Sequence, residues 1–144
     1  MSVLDTVISF LTPYECMKCA VEAALLCHNC QIKLKPARSV CFMCLRPTAQ
    51  FKTCSVCFKL SNIHTVWRVA DYGDTAKELV WRLKFTGARA AATDMAACMA
   101  LLNRPPGHTL IVHIPTATSR VGQRGYDQAE LLAKAYVERN TKPA

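Results

Sequence analysis

The sequence predicts a small zinc-ribbon module, residues 1–60, followed by a partial α/β domain with a parallel sheet, residues 61–144. Three observations carry this. Eight of the nine cysteines lie between Cys16 and Cys57 as four Cys-x-x-Cys pairs. Residues 67–144 hold only Cys98 and read as ordinary helix and strand. Within that part, the apolar run from Thr109 to Ile114, ending at Pro115, has the pattern of a strand buried on both faces. A chain of 144 residues has room for a small metal-stapled module and a half-size second unit.

The first segment is expected to contain an N-terminal helix ahead of the ribbons. Met1 to Pro13 lack a positive n-region, carry Asp5 inside the apolar stretch and offer no small-residue cleavage site, which argues against a signal peptide. No run approaches the ~18 apolar residues of a membrane span. A cytoplasmic, reducing address follows, where paired cysteines are metal ligands more often than disulfides.

The four pairs are Cys16/Cys19, Cys27/Cys30, Cys41/Cys44 and Cys54/Cys57. Two intervening residues let both thiolates of a pair face one ion at ~2.3 Å, because the turn aims backbone N–H groups at the first sulfur. Eight thiolates suffice for two closed tetrahedral sites, so the expected cofactor is structural zinc, two ions per chain. Spacing alone leaves the pairing open. Sequential pairing needs only hairpins of seven and nine residues and is favoured over a cross-braced arrangement. His28 and His64 lie in or near the module but are not needed as ligands, and Cys98 fits a small core residue in an apolar helix pattern.

The formal charge is +8. Each tetrathiolate zinc site contributes a net of about −2, bringing the chain to about +4. Residues 1–66 hold seven Lys/Arg against three Asp/Glu, a surplus that two zincs cancel, whereas the rest holds eleven against seven. The second half is therefore where an anion-binding surface is expected.

In that half, Ser61 to Tyr72 carries Val66, Trp67, Val69 and Tyr72 and reads as a strand running into Gly73. Thr75 and Glu78 make a capping-box pattern for a helix to about Lys84, with Ala76, Leu79, Val80 and Leu83 on one face. Gly87 breaks it. A second helix begins near Ala88, with Ala88, Ala92, Met95, Met99 and Leu102 at core spacing until Pro105 and Pro106. After the strand at Thr109–Ile114 comes a basic loop, Arg120 to Arg124. Asp127 and Glu130 can then cap a last helix carrying Leu131, Leu132, Ala135 and Tyr136. The loop sets two guanidinium groups where an open α/β sheet binds ligands, and Arg forks suit phosphate oxygens. Lys84-Phe85-Thr86-Gly87 adds a cation beside an aromatic ring.

Together these features resemble the ComF family of competence-associated, phosphoribosyltransferase-like proteins. The matching residues are the four Cys-x-x-Cys pairs, Leu83-Lys84-Phe85-x-Gly87, the strand from Leu110 to Pro115, and Arg120-x-x-x-Arg124-Gly125-Tyr126-Asp127-Gln128-Ala129. The resemblance implies a type I phosphoribosyltransferase-like fold, with Lys84, Arg120, Arg124 and Gln128 as candidates for phosphate or nucleic-acid contact. The family usually has Asn at Asp127 and Pro at His113, and an acid beside Arg124 is expected to weaken anion binding. It also carries a later strand ending in paired acids and a Thr-Thr-Gly loop for phosphoribosyl pyrophosphate. No two acids are adjacent in this sequence. No catalytic residue is assigned, the chain alone is expected to be inactive, and Mg²⁺ would enter only with a complete site.

The leading expectation is thus a ComF-like protein of DNA uptake or nucleotide handling, truncated before that loop. It would need a missing C-terminal segment, a competence protein or self-association to cover its half-sheet. The alternative from another class is a non-enzymatic, zinc-dependent module for single-stranded nucleic acid or protein. There Lys84, Arg89, Arg120 and Arg124 would contact phosphates, and Phe85 or Tyr126 would stack on bases. A structural remnant without activity is the third.

Overall fold

A computed structural model describes residues 14–22, 24–102 and 109–141. The expected N-terminal helix and the stop at Pro105 and Pro106 lie outside these. Packing divides the chain into two units, Lys35–Gly73 and Met1–Leu34 with Asp74–Ala144. The sequence boundary between residues 60 and 61 falls inside the first of them, and each unit holds one four-cysteine ribbon.

The two ribbons repeat one backbone plan. In each, the first knuckle turns through a residue with left-handed backbone, Ala20 (φ 57°) and Leu45 (φ 58°). Their N–H groups donate to the carbonyls of Cys16 at 2.8 Å and Cys41 at 3.0 Å. Single antiparallel bridges, Glu15 with Glu22 and Val40 with Pro47, close the hairpins. In each second knuckle the leading cysteine precedes a helix: Cys27 opens α1 (His28–Gln31) and Cys54 opens α2 (Ser55–Ser61).

The helical body comprises α3 (Asp74–Phe85), α4 (Ala90–Leu102), α5 (Thr118–Arg124) and α6 (Gln128–Thr141). Helix α4 is central and packs against α6, α3 and α1. Its buried face is Ala91, Ala92, Asp94, Ala96, Ala97 and Cys98; of the expected stripe Ala92 is buried, Ala88, Met95 and Met99 are half-buried, and Leu102 is exposed. Small alanines allow close approach of neighbouring helices and favour the helix itself. Leu79 and Leu83 of α3 are buried as the spacing predicts, each contributing about 1.5–3 kcal/mol of burial. Asp127 caps α6: its Oδ1 accepts the N–H groups of Ala129 at 2.8 Å and Glu130 at 3.3 Å.

The parallel sheet is where the reading fails, because no strand forms among the described residues. Residues 109–115 form no regular element, and Leu110, Val112 and Ile114 are 84%, 81% and 88% exposed, not buried on both faces. A parallel strand needs a neighbour delivered by a crossover, and none of the described segments supplies it. The expected strand from Ser61 to Tyr72 is also absent. Its first residue ends α2, and the rest makes one antiparallel bridge, Lys52 with Thr65, flanked by bonds from Thr53 N–H to His64 O and from Val66 N–H to Phe51 O, before Asp71 N–H turns to Lys35 O. A single bridge does not extend into a ladder. The basic loop from Arg120 to Arg124 is helical, terminated by Gly125 at φ 76°, a left-handed conformation that suits glycine.

No helix among the described residues is long and apolar enough to cross a membrane. Because Ala96 is fully buried on α4, Ala96→Leu should lower stability by about 1–3 kcal/mol through overpacking. Thermal unfolding is the check, with the exposed Thr93→Ala as a control that moves little.

Candidate functional site

The sulfur atoms of Cys16, Cys19, Cys27 and Cys30 lie within 4.8 Å of one another, and so do those of Cys41, Cys44, Cys54 and Cys57. A tetrahedral ion with ~2.3 Å bonds to sulfur requires edges of ~3.8 Å. Cys19 and Cys27 Sγ are 3.5 Å apart, and Cys44 and Cys54 Sγ 3.7 Å. The pairing is the sequential one. The donor sets fit two structural zinc ions, each site closed by four thiolates with no place for a reacting water.

The backbone prepares the sulfurs for charge. Burial works against ionisation of Cys16, but N–H groups of Cys27, Lys18 and Cys19 outweigh it and bring the thiol down to about 6. Cys41 is likewise held at about 6 by N–H groups of Cys44 and Cys54. Burial pushes Cys30 up to about 12. The hydrogen bond with Cys54, then burial, does the same to Cys57, also at about 12. Zinc must displace the protons these sulfurs hold, so uptake is coupled to pH. Neither histidine joins a cluster; His64 instead packs against Phe58 with centroids 4.3 Å apart. Cys98 is buried on α4, its thiol raised to about 11 by desolvation and then by the nearby Asp94 charge.

A second site lies on the helical body. A cleft of about 260 Å³ is lined by Lys84, Phe85, Gly87, Arg120, Gln123, Arg124 and Tyr126. The C-terminal end of α3 supplies Lys84 and Phe85, and α5 presents Arg120, Gln123 and Arg124 at helical i, i+3, i+4 spacing. The Tyr126 hydroxyl donates to the Leu83 carbonyl, fastening the segment after α5 to α3.

The cations of this cleft are not equivalent. Arg124 donates to the Gln128 side-chain oxygen and lies 5.5 Å from the Phe85 ring centroid. Arg89 sits 4.9 Å over the Tyr126 ring and donates to the Gly125 carbonyl at 3.4 Å. Lys84 and Arg120 line the cleft with no partner among the described residues. Of the four predicted contacts, Lys84, Arg120 and Arg124 converge, while Gln128 orients Arg124 from behind. Gln123 was missed, and reading 118–124 as a helix would have found it.

Asp127 does not spend its charge on Arg124. Its carboxylate accepts the N–H of Thr116 at 2.8 Å and the Thr116 hydroxyl at 2.8 Å, besides capping α6. These bonds, led by the Thr116 N–H, hold its pKa down at about 2.

Two four-sulfur clusters on repeated hairpins define the chain as a double zinc-ribbon protein. No protein-family model matches it, and no solved structure does. It is 30% identical over 128 residues to competence protein ComFC of Bacillus subtilis, a match covering 76% of this chain and 50% of that protein. With this similarity and its two clusters, the chain is a ComF-like double zinc-ribbon protein. It spans about half the length of the curated relative it matches.

The full chain should bind two zinc ions, and Cys41→Ser combined with Cys44→Ser should leave one. Elemental analysis of dialysed protein provides the count. Because zinc displaces thiol protons, affinity should fall between about pH 8 and pH 6 in competition with a chromogenic chelator.

Proposed function

We propose that this chain acts in competence, as the name competence protein ComFC states for its relative, by binding the phosphate groups of a phosphoribosyl pyrophosphate-type ligand. The observation that carries the reading is the pair of cations without a partner among the described residues, Lys84 and Arg120, in a cleft whose other arginine is braced by Phe85 and Gln128. A phosphate entering such a cleft receives charge-assisted hydrogen bonds from a preset guanidinium and a mobile ammonium. Zinc holds the ribbons and takes no part in chemistry. The sequence has no adjacent acids and no Thr-Thr-Gly, so the chain alone is expected to release no pyrophosphate.

A second reading, binding of single-stranded nucleic acid, draws on exposed aromatic surface beside the same cations. Trp81 and Phe85 are both exposed on α3, with ring centroids 6.2 Å apart. Flat faces next to basic groups suit stacked bases and a phosphate backbone. The bare Leu110, Val112 and Ile114 additionally favour association with further polypeptide, a second copy included. If so, Val112→Asp should reduce concentration-dependent association in sedimentation velocity and leave zinc content unchanged.

Calorimetric titration with phosphoribosyl pyrophosphate, alongside anisotropy with a labelled oligothymidylate, separates the two ligands. Lys84→Ala with Arg120→Ala should weaken phosphoribosyl pyrophosphate at least about tenfold while both zinc ions stay bound. Equal affinity in the variant would remove the cleft from consideration. Salt-sensitive oligonucleotide binding without phosphoribosyl pyrophosphate binding would move the assignment to the second reading.

A further inference from the structure

Helix α4 is apolar along its buried face except for Asp94, which is only 8% exposed. A carboxylate in such a place is costly unless its oxygens accept hydrogen bonds. The donor comes from 68 residues away: Leu26 N–H reaches Asp94 Oδ2 at 2.9 Å, and the nearby Leu25 backbone also favours the charged carboxylate. Both leucines are buried, and the next residue, Cys27, is a ligand of the first cluster.

Three backbone polar atoms of the two residues that lead into Cys27 are held by hydrogen bonds. The Leu25 carbonyl accepts from Met17 N–H, inside the first knuckle, at 3.0 Å. The Leu26 carbonyl accepts from Gln31 Nε2, at the end of α1, at 2.7 Å. The Leu26 N–H goes to Asp94. The carbonyls are therefore fixed from within the ribbon and the Leu26 amide from the helical body. Immediately beyond, Cys27 N–H points at Cys16 Sγ at 3.5 Å, linking the second knuckle to the first. Burying Leu26 would strand its amide donor without this carboxylate.

We infer that Asp94 is a positioning residue for the first zinc centre, anchoring from helix α4 the segment of chain that presents Cys27. The second cluster lies wholly in Lys35–Gly73 and contains no corresponding carboxylate anchor among the described residues. The two four-cysteine sites, chemically identical in their ligands, thus differ in what holds them. Metal retention at the first depends on α4, and retention at the second does not. This stands apart from the anion cleft, whose ligand plays no part in it.

The experiment uses the full chain loaded with cadmium-113, whose two sites give separate NMR resonances, and with zinc for release to a chelator in excess. Asp94→Asn is close to isosteric and keeps one acceptor oxygen, and Asp94→Ala removes both. The expected result is selective: one cadmium resonance shifts, and release from that one site accelerates, on the order of tenfold in Asp94→Ala and less in Asp94→Asn. The first site is identified by repeating the measurement in Cys41→Ser with Cys44→Ser, where only it remains. Release that is unchanged at both sites, accelerated equally at both, or selective for the second site overturns the inference. If Asp94→Ala does not fold, the same outcomes are read from Asp94→Asn.

Discussion

Four sulfur atoms must converge on one point, and this chain satisfies that requirement twice within 42 residues, from Cys16 to Cys57. The backbone is bent to meet it: left-handed Ala20 and Leu45 turn the first knuckles, and Cys27 and Cys54 set the second knuckles at helix starts. Left-handed backbone at a non-glycine residue is sterically unfavourable and persists where the surroundings enforce it. Metal–thiolate bonds supply the enforcement. With few large side chains fully buried, only Leu26 and Cys41 among the described residues, a ribbon of this kind has little hydrophobic core to fall back on.

The helical body carries a different task. Its alanine-rich centre, α4, brings α3 and α6 close, and the Tyr126 hydroxyl fastens the segment after α5 to the end of α3. That fastening brings Lys84 and Arg120 to one cleft although 36 positions separate them in sequence. Within the cleft the division of labour follows from partners. Arg124 is braced by an aromatic face and an amide, and Arg89 is occupied behind Tyr126, which leaves Lys84 and Arg120 for a ligand. Asp127 turns its oxygens to Thr116 and the start of α6 and keeps its negative charge there.

The cysteine clusters were legible because a two-residue spacer leaves metal geometry few options, whereas their sequential pairing was only favoured by the short hairpins and is fixed by the sulfur positions. Helix ends with chemical punctuation were legible too: Asp127 at the start of α6, and Leu79 and Leu83 on the inner face of α3. The face of α4 was only partly legible, at Ala92, because alanines carry little periodic signal, and nothing local marks Asp94 as buried. Residues 118–124 hid a helix because Thr118, Ser119 and Gly122 suggest a loop, while Gly125 marks its end. The apolar run at 109–115 has the composition of a central strand, but composition states only what a segment would bury if neighbours existed. Those neighbours are a nonlocal property that the run does not encode.

Zinc K-edge X-ray absorption on the full chain tests the central claim, that two closed tetrathiolate centres organise the ribbons. The account predicts a first shell of sulfur alone, four per zinc at ~2.3 Å. A fitted nitrogen or oxygen contribution, from His28, His64 or water, would contradict it by opening one of the sites.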